Sequence, residues 1–210
     1  MERDLTLGLI LDGGLSRRMG GADKGLSPLA GRPMIAHVVE RLRPQCAALA
    51  ISANGAAERF AEFGLPVLPD DPPDFAGPLA GVLAGLEYCA QNPPLSYLAT
   101  LPADTPFAPS DLVARLHRAR RRAGAEVAVA ASAGRMHYAA ALWPIRMAGE
   151  LRDALAHEGL RKMEAFVNRY RKATVDWPDA PVDPFFNVNQ RCDLERAEAM
   201  LRERSERRVR

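Results

Sequence analysis

Short apolar runs alternate with longer amphipathic segments through the first 130 residues of the chain. Residues 7–11, 47–53 and 95–101 are almost wholly apolar, a pattern typical of strands that are buried on both faces. The segments between them repeat apolar residues at helical spacing, and Pro33 and Pro78 stand where helices are expected to begin. Strands that alternate with helices predict a mostly parallel sheet with helices packed on both faces.

The pattern changes near residue 132. Strands are expected at 126–131, 138–143 and 173–177, helices at 145–157 and 160–170, an extended segment at 185–189 and a terminal helix from 193 to about 207. No repeat, low-complexity tract or long linker interrupts the sequence. We therefore expect one domain over residues 1–210, in which about 1–130 and about 131–210 supply different surfaces.

The composition narrows the class of protein. Of the 210 residues, 48% are hydrophobic and 26% are charged, and the formal net charge is +2. This balance is ordinary for a globular domain and does not indicate a nucleic-acid-binding surface. We expect neither a signal peptide nor a membrane span, and Cys46, Cys89 and Cys192 lack the spacing of a metal site or a disulfide framework. These features predict a cytoplasmic protein with no nucleic-acid or membrane partner.

A glycine-rich loop with three cations follows the first strand. Gly13 and Gly14 come after the apolar run and are followed by Arg17, Arg18 and Lys24. Glycines let backbone N–H groups approach a ligand closely, and a loop at the carboxyl end of a strand is a recurrent nucleotide site. The spacing matches neither the GxxxxGK[ST] nor the GxGxxG pattern. The loop therefore predicts phosphate binding, but it does not indicate a P-loop NTPase or a dinucleotide-binding dehydrogenase.

Polar residues stand after several of the predicted strands. Asp104 follows the run at 95–101 and is flanked by prolines, and a carboxylate there suits a Mg²⁺ ion that also touches phosphate oxygens. Asp70, Asp71 and Asn54 end earlier strands. Each of these three could contact a base or a ribose, or be an ordinary turn residue.

The second half offers fewer candidates. Asn187 and Asn189 alternate in an extended segment, so both side chains are expected on one face, where one of them could complete a metal site with the carboxylate after the earlier strand. His137, Arg161 and Lys162 are candidate ligand groups, although isolated residues of these types are more often surface groups. No Ser-His-Asp or Cys-His spacing indicates nucleophilic catalysis, and the 4 scattered histidines do not indicate a catalytic zinc.

Four motifs together resemble those of the molybdenum cofactor guanylyltransferases. Residues 11–25 are similar to the LAGGxSxRMGxxK signature of sugar-nucleotide-type nucleotidyltransferases, and residues 77–81, 102–106 and 187–189 match further motifs in the same order. The resemblance implies a Rossmann-like three-layer α/β/α nucleotidyltransferase fold with a mostly parallel central sheet. It also implies transfer of GMP from Mg-GTP to the phosphate of molybdopterin, with release of pyrophosphate. Other proteins of molybdenum cofactor biosynthesis and molybdoenzyme chaperones are the further partners that it implies.

The resemblance also implies roles for individual residues. The catalytic groups would be Arg18, Lys24 and Asp104, the two cations facing the phosphates. The nucleotide would be bound by Leu11, Asp12, Gly13, Gly14, Lys24, Asn54, Asp70 and Asp104, with Asn54 and Asp70 at the guanine and the ribose. Asp104 and Asn189 would hold Mg²⁺. The acceptor would lie in the half of about 131–210, with His137, Arg161, Lys162 and Asn187 as its candidate contacts.

Asp12 departs from the family pattern, which has alanine at this position. A carboxylate there would repel phosphates if it pointed at them, but it could also accept hydrogen bonds from a base or ribose, or face away. Gly14 and the turn at 77–81 favour guanine over cytosine. The alternatives are a related cytidylyl- or sugar-1-phosphate nucleotidyltransferase, and a non-catalytic protein that binds a nucleotide or molybdopterin.

Overall fold

The computed structural model describes residues 5–12, 24–70 and 77–209 of the chain. The strands in these ranges are β1 (Thr6–Leu11), β2 (Pro28–Leu29), β3 (Arg32–Pro33), β4 (Ala48–Ser52), β5 (Val67–Leu68), β6 (Tyr97–Pro102), β7 (Val127–Ser132), β8 (Arg135–Pro144) and β9 (Lys172–Trp177). The α-helices are α1 (Met34–Leu42), α2 (Pro78–Gln91), α3 (Leu112–Ala123), α4 (Ala148–Ala156), α5 (Met163–Val167) and α6 (Arg191–Val209). Short 3₁₀ segments lie at Lys24–Leu26, Arg43–Gln45, Ala57–Phe63 and Ile145–Met147.

The central sheet has seven strands in the described part of the chain, in the order β5-β4-β1-β6-β8-β7-β9. Neighbouring strands are parallel except at β8, which is antiparallel to both β6 and β7. The exception arises because Ala133 and Gly134 alone connect β7 to β8, and both have positive φ, 48° and 72°. A two-residue turn of this kind joins antiparallel strands, whereas a parallel connection needs a crossover. The predicted mostly parallel sheet is confirmed.

Strand β1 shows how the sequence builds a three-layer structure. Its six residues are all buried. Leu7, Leu9 and Leu11 pack in the core that contains α2, α4 and α5, whereas Ile10 packs with α1 and α3 on the opposite face. Successive side chains of a strand point to opposite faces, so an unbroken apolar run needs a helical layer on each side.

A third apolar cluster attaches the last helix to the body of the protein. Ala197 of α6 packs with Val188, Phe107 and the hairpin formed by β2 and β3, which contributes Leu29. Helix α6 is 19 residues long and strongly charged. Across the described ranges, no helix combines the length and apolar character that a membrane crossing requires.

Two segments differ from the helices expected in the second half. Residues 145–157 begin with a 3₁₀ turn before α4, and the helix expected over 160–170 covers only Met163–Val167. It ends early because the amides of Arg169 and Tyr170 bond to the carbonyls three residues before them, Phe166 and Val167, at 3.1 Å each. This tighter winding closes the helix and directs the chain into β9.

Helix α2 lies so close to the sheet that an added methyl group would not fit. A Cβ on Gly85 would stand 2.7 Å from Leu9 Cδ2 and 2.9 Å from Leu98 Cδ1, and both leucines are fully buried. Alanine gains about 1 kcal/mol over glycine in a helix, but overpacking costs typically about 1–3 kcal/mol. We therefore expect Gly85→Ala to lower the free energy of unfolding by up to about 2 kcal/mol.

Urea denaturation measures this difference, with Gly149→Ala as the matched control in α4. Gly149 is exposed and no heavy atom lies within 4 Å of the added Cβ, so that variant should be neutral or slightly stabilised. Equal unfolding midpoints for the two variants would contradict the close packing of α2.

Candidate functional site

The site lies at the edge of the sheet where the parallel strands end. The amide of Asp12, directly after β1, donates to Ser52 O at 2.9 Å, and the amide of Ala103, directly after β6, donates to Leu11 O at 3.0 Å. These bonds hold the ends of β1, β4 and β6 side by side. The residues that follow each strand are thereby brought to one edge, the usual ligand position in sheets of this type.

Four predicted site residues meet at this edge. The Lys24 ammonium donates to Asp104 Oδ2 and to Asn189 Oδ1, the latter at 2.6 Å. Asn187 Nδ2 donates to the other carboxylate oxygen, Asp104 Oδ1, at 2.8 Å. The side chains of Lys24 and Asp104 are only 16% and 15% exposed. A lysine, a carboxylate and two amides thus form one partly buried polar cluster, here called the Lys24–Asp104 centre.

Asp12 contacts the main chain at Gly25, which follows the glycine-rich loop in the sequence. Its Oδ1 accepts a hydrogen bond from the Gly25 amide at 3.3 Å, and the residue is only 7% exposed. A Cβ on Gly25 would stand 2.8 Å from Asp12 Oδ2, so this approach requires glycine. The Asp12 carboxylate therefore packs against Gly25, the neighbour of Lys24.

A cavity of about 180 Å³ opens beside this edge of the sheet. It is lined by Leu11, Ser52, Asp70, Gly77, Pro78, Gly81, Pro102 and Ala139. Gly81 is required here because a Cβ would stand 2.2 Å from Ser52 Oγ. Gly77 has φ of 117°, a backbone conformation that favours glycine. These two requirements explain the glycines of the 77–81 motif.

Asp70, which lines the cavity, forms a reciprocal pair with Asn54. Asn54 Nδ2 donates to Asp70 Oδ2 at 2.7 Å, and the Asp70 amide donates to Asn54 Oδ1 at 2.9 Å. Burial raises the pKa of Asp70 above its usual value, and the hydrogen bond from Asn54 opposes this shift. The pair joins the loops that follow β4 and β5.

The acceptor candidates of the second half occupy different surroundings. His137 Nε2 lies 2.8 Å from Ser132 Oγ, and its ring stacks on Phe185 with centroids 4.7 Å apart. Burial lowers the pKa of His137 below its usual value, the Asp183 carboxylate opposes this shift, and Arg135 reinforces it.

Arg161 has its main chain beside Gly77, one of the residues that line the cavity. Its carbonyl oxygen is 3.7 Å from the position of a Cβ on Gly77, whereas its guanidinium donates to Leu155 O and Leu160 O at 3.2 Å and 2.9 Å. Lys162 is exposed and precedes α5. Gly13, Gly14, Arg17, Arg18 and Asp71 lie outside the described residues.

The Lys24–Asp104 centre fits a hard cation by the chemistry of its donors. Asp104 Oδ2 and Asn189 Oδ1 already converge on one cation, the Lys24 ammonium. Across residues 5–12, 24–70 and 77–209, no group of three or more His, Cys, Asp or Glu side chains could hold a metal. Mg²⁺ commonly binds through one or two carboxylates together with substrate phosphates and water. One carboxylate and an amide oxygen are therefore a sufficient protein contribution.

Some residues of the site carry no recognisable sequence signal as single residues. Ser52 and Ala139 line the cavity, and Ser132 and Asp183 surround His137. Ser52 and Ser132 are polar residues at the ends of apolar strands, and that position is the feature by which they could have been found.

Comparison with known proteins identifies the family. The family model described as the MobA-like NTP transferase domain matches residues 8–174. A molybdenum cofactor guanylyltransferase of Rhodopseudomonas palustris (strain BisB5) is 53% identical over 198 residues, which is 94% of each chain. One of Mesorhizobium japonicum is 46% identical over 204 residues, covering 96% of this chain and 98% of the relative.

Solved structures show the same fold. Molybdopterin-guanine dinucleotide biosynthesis protein A from Archaeoglobus fulgidus matches with a TM-score of 0.73 at 23% identity, and the match covers 94% of this chain and 99% of that protein's chain. Rv0371C of Mycobacterium tuberculosis in complex with manganese has a TM-score of 0.65 at 18% identity, covering 92% and 98%. The observed fold and these matches agree, and the chain belongs to the MobA-like NTP transferase family of nucleotidyltransferases.

Proposed function

We propose that this protein transfers GMP from GTP to the phosphate of molybdopterin, with Mg²⁺ as the metal and pyrophosphate as the second product. The observation that carries the proposal is the Lys24–Asp104 centre at the same sheet edge as the cavity that is lined by Asp70, the partner of Asn54. The name guanylyltransferase, borne by relatives at 45–53% identity, supports GTP as the nucleotide.

The transfer requires charge neutralisation more than covalent chemistry. An oxygen of the acceptor phosphate attacks the α-phosphorus of GTP and the bond to the β-phosphate oxygen breaks, so two anions must approach each other. Lys24 supplies a positive charge at this position, and the Asp104 carboxylate and the Asn189 amide orient it. When bound, Mg²⁺ supplies further neutralisation of the phosphate oxygens through Asp104 and Asn189.

No general base is required for the attack. The second pKa of a phosphate monoester is about 6, so the acceptor phosphate is largely a dianion at neutral pH. The protein's contribution is positioning of the two phosphates and electrostatic stabilisation of the transition state.

Asn54 and Asp70 are proposed to read the nucleoside. A carboxylate accepts hydrogen bonds only, and it therefore suits the N–H groups of guanine or the hydroxyls of ribose, whereas an amide can both donate and accept. Their mutual hydrogen bonds hold both groups in place before the nucleotide arrives. Leu11 and Asp12 contribute from the end of β1, and the proposed contacts of Gly13, Gly14 and Arg18 complete the nucleotide site.

The acceptor is proposed to bind in the half of about 131–210, which was assigned to it from the sequence. His137, Arg161 and Lys162 are its proposed contacts, together with Asn187, which donates to Asp104 Oδ1. Cytoplasmic location, with molybdenum cofactor biosynthesis proteins and molybdoenzyme chaperones as partners, completes the proposal. The free thiols of Cys46, Cys89 and Cys192 accord with a reducing compartment.

Pyrophosphate release tests the proposed reaction. The purified protein is incubated with GTP or CTP, with and without molybdopterin, and with and without Mg²⁺. We expect release only when GTP, molybdopterin and Mg²⁺ are all present. Faster release with CTP would assign a cytidylyltransferase instead, and no release with either nucleotide would assign a binding protein.

A further inference from the structure

The segment 183–190, here called the connecting segment, leads from β9 to α6 and crosses the Lys24–Asp104 centre. Its second half is bound there by three contacts. Asn187 Nδ2 donates to Asp104 Oδ1, the Val188 amide donates to Asp104 O at 3.0 Å, and Asn189 Oδ1 accepts from Lys24. The positions of both asparagines therefore depend on where the connecting segment lies.

The first half of the connecting segment is held separately, by a contact with the end of β7. Asp183 Oδ1 accepts hydrogen bonds from Ser132 Oγ at 2.7 Å and from the Phe185 amide at 2.9 Å. Ser132 is the last residue of β7 and is fully buried. The carboxylate thus links the end of a core strand to the turn with which the connecting segment begins.

His137 completes this anchor from β8. The single hydroxyl hydrogen of Ser132 is donated to Asp183, so the 2.8 Å contact between Ser132 Oγ and His137 Nε2 needs the imidazole as donor. The same imidazole stacks on the Phe185 ring at an interplanar angle of 26°, and Trp177 meets that ring edge-on at 5.5 Å. Phe185 is only 1% exposed. Polar and aromatic contacts therefore hold one end of the connecting segment in a single arrangement.

We infer that Ser132 and Asp183 are positioning residues of the transferase site. They act through the connecting segment, whose fixed end at Asp183 places Asn187 and Asn189 against Asp104 and Lys24. The inference rests on the proposed function, because it explains how that same centre is held in place. Neither residue needs to touch the nucleotide or the acceptor for this role.

Ser132→Ala and Asp183→Ala test the inference, because each removes one partner of the buried hydrogen bond. Loss of an outer partner that orients a metal ligand typically costs about 10–100-fold. We expect kcat for GMP transfer to fall by about 10–100-fold in both variants while KM for GTP changes less than about 3-fold, since Asn54 and Asp70 lie on other loops. Asp183→Asn keeps an acceptor oxygen and should recover most of kcat.

Amide hydrogen exchange provides a second readout that needs no substrate. In Ser132→Ala, the peptide covering residues 185–190 should exchange at least about 10-fold faster, because the anchor no longer holds the Val188 amide on Asp104 O. A wild-type protein without transfer activity would overturn the proposed function, but the exchange measurement would still test the anchor.

Thr6→Val is the matched control. Thr6 Oγ1 lies 2.9 Å from His117 Nε2, another buried hydroxyl–imidazole contact, at the opposite end of β1. This variant should lose comparable stability and keep both kcat and the exchange rate of residues 185–190. If Ser132→Ala behaves in the same way as Thr6→Val, the Ser132–Asp183 bond only stabilises the fold, and the inference is wrong.

Discussion

Asp104→Ala is expected to abolish GMP transfer, with a fall in kcat of more than about 10³-fold. Removal of a single electrostatic contact made in a transition state costs about 10²–10³-fold, and Asp104 has more than one such task. Its two oxygens hold the Lys24 ammonium and the Asn187 amide, and they are the proposed carboxylate ligand for the metal. Steady-state release of pyrophosphate at saturating Mg²⁺ measures the loss.

Binding of Mn²⁺, followed by electron paramagnetic resonance without nucleotide, separates the metal-ligand role from a structural one. Asp104→Ala should bind the ion at least about 10-fold more weakly than the wild type. Asp153→Ala is the control, because Asp153 is an exposed carboxylate on α4 that is not a proposed ligand of the metal. Near-wild-type turnover of Asp104→Ala at saturating Mg²⁺ would show that the proposed ligand is wrong.

Lys24→Ala is expected to lower kcat/KM for GTP by about 10²–10³-fold, which corresponds to about 3–4 kcal/mol of transition-state stabilisation. The Lys24 side chain is 16% exposed and its ammonium is held by Asp104 and Asn189, so the substitution removes the positive charge of the centre. The loss should appear in the GTP kinetics, since Lys24 is assigned to the nucleotide phosphates.

Lys24→Arg and Lys172→Ala complete this experiment. Arginine keeps the charge, but its planar fork does not reproduce an ammonium held by two oxygens, so recovery should be partial. Lys172 on β9 donates to Asn168 Oδ1 at 2.7 Å, and its replacement should leave the kinetics unchanged. An unchanged kcat/KM for GTP in Lys24→Ala would overturn its assignment to the phosphates.

The architecture was predictable wherever local pattern determines it. The apolar runs gave the strands, because a segment such as Thr6–Leu11 can bury both faces only inside a covered sheet. The direction of β8 was not predicted, because it depends on two residues, Ala133 and Gly134, adopting positive φ. The helix expected over 160–170 is shorter than predicted, since its end depends on hydrogen bonds that tighten the last turn rather than on a proline or glycine.

The candidate site, like the fold, could be predicted only in part from the sequence. The contacts of Asp104 with Asn187 and, through Lys24, with Asn189 agree with the expectation that the asparagine pair lies beside this carboxylate. The Ser132–Asp183 bond could not be foreseen, because two common residue types 51 positions apart carry no motif.

The orientation of the Asp12 side chain was left open by the sequence and is given by the structure. The alternatives for this carboxylate were repulsion of phosphate, contact with a base or ribose, or an orientation away from them. In the structure it accepts from the Gly25 amide and is nearly buried. The packing of Gly25 against it means that the two positions depend on each other.

The Lys24–Asp104 centre also bears on how the protein folds. Lys24 bonds to residues 80 and 165 positions later in the chain, and contacts between such distant positions are closed only after a large loss of chain entropy. A polypeptide that is still being synthesised therefore has no complete centre until residue 189 has joined the sheet edge. Catalytic competence should be among the last properties acquired during biogenesis, so recovery of activity after dilution from denaturant reports completed folding of the whole chain.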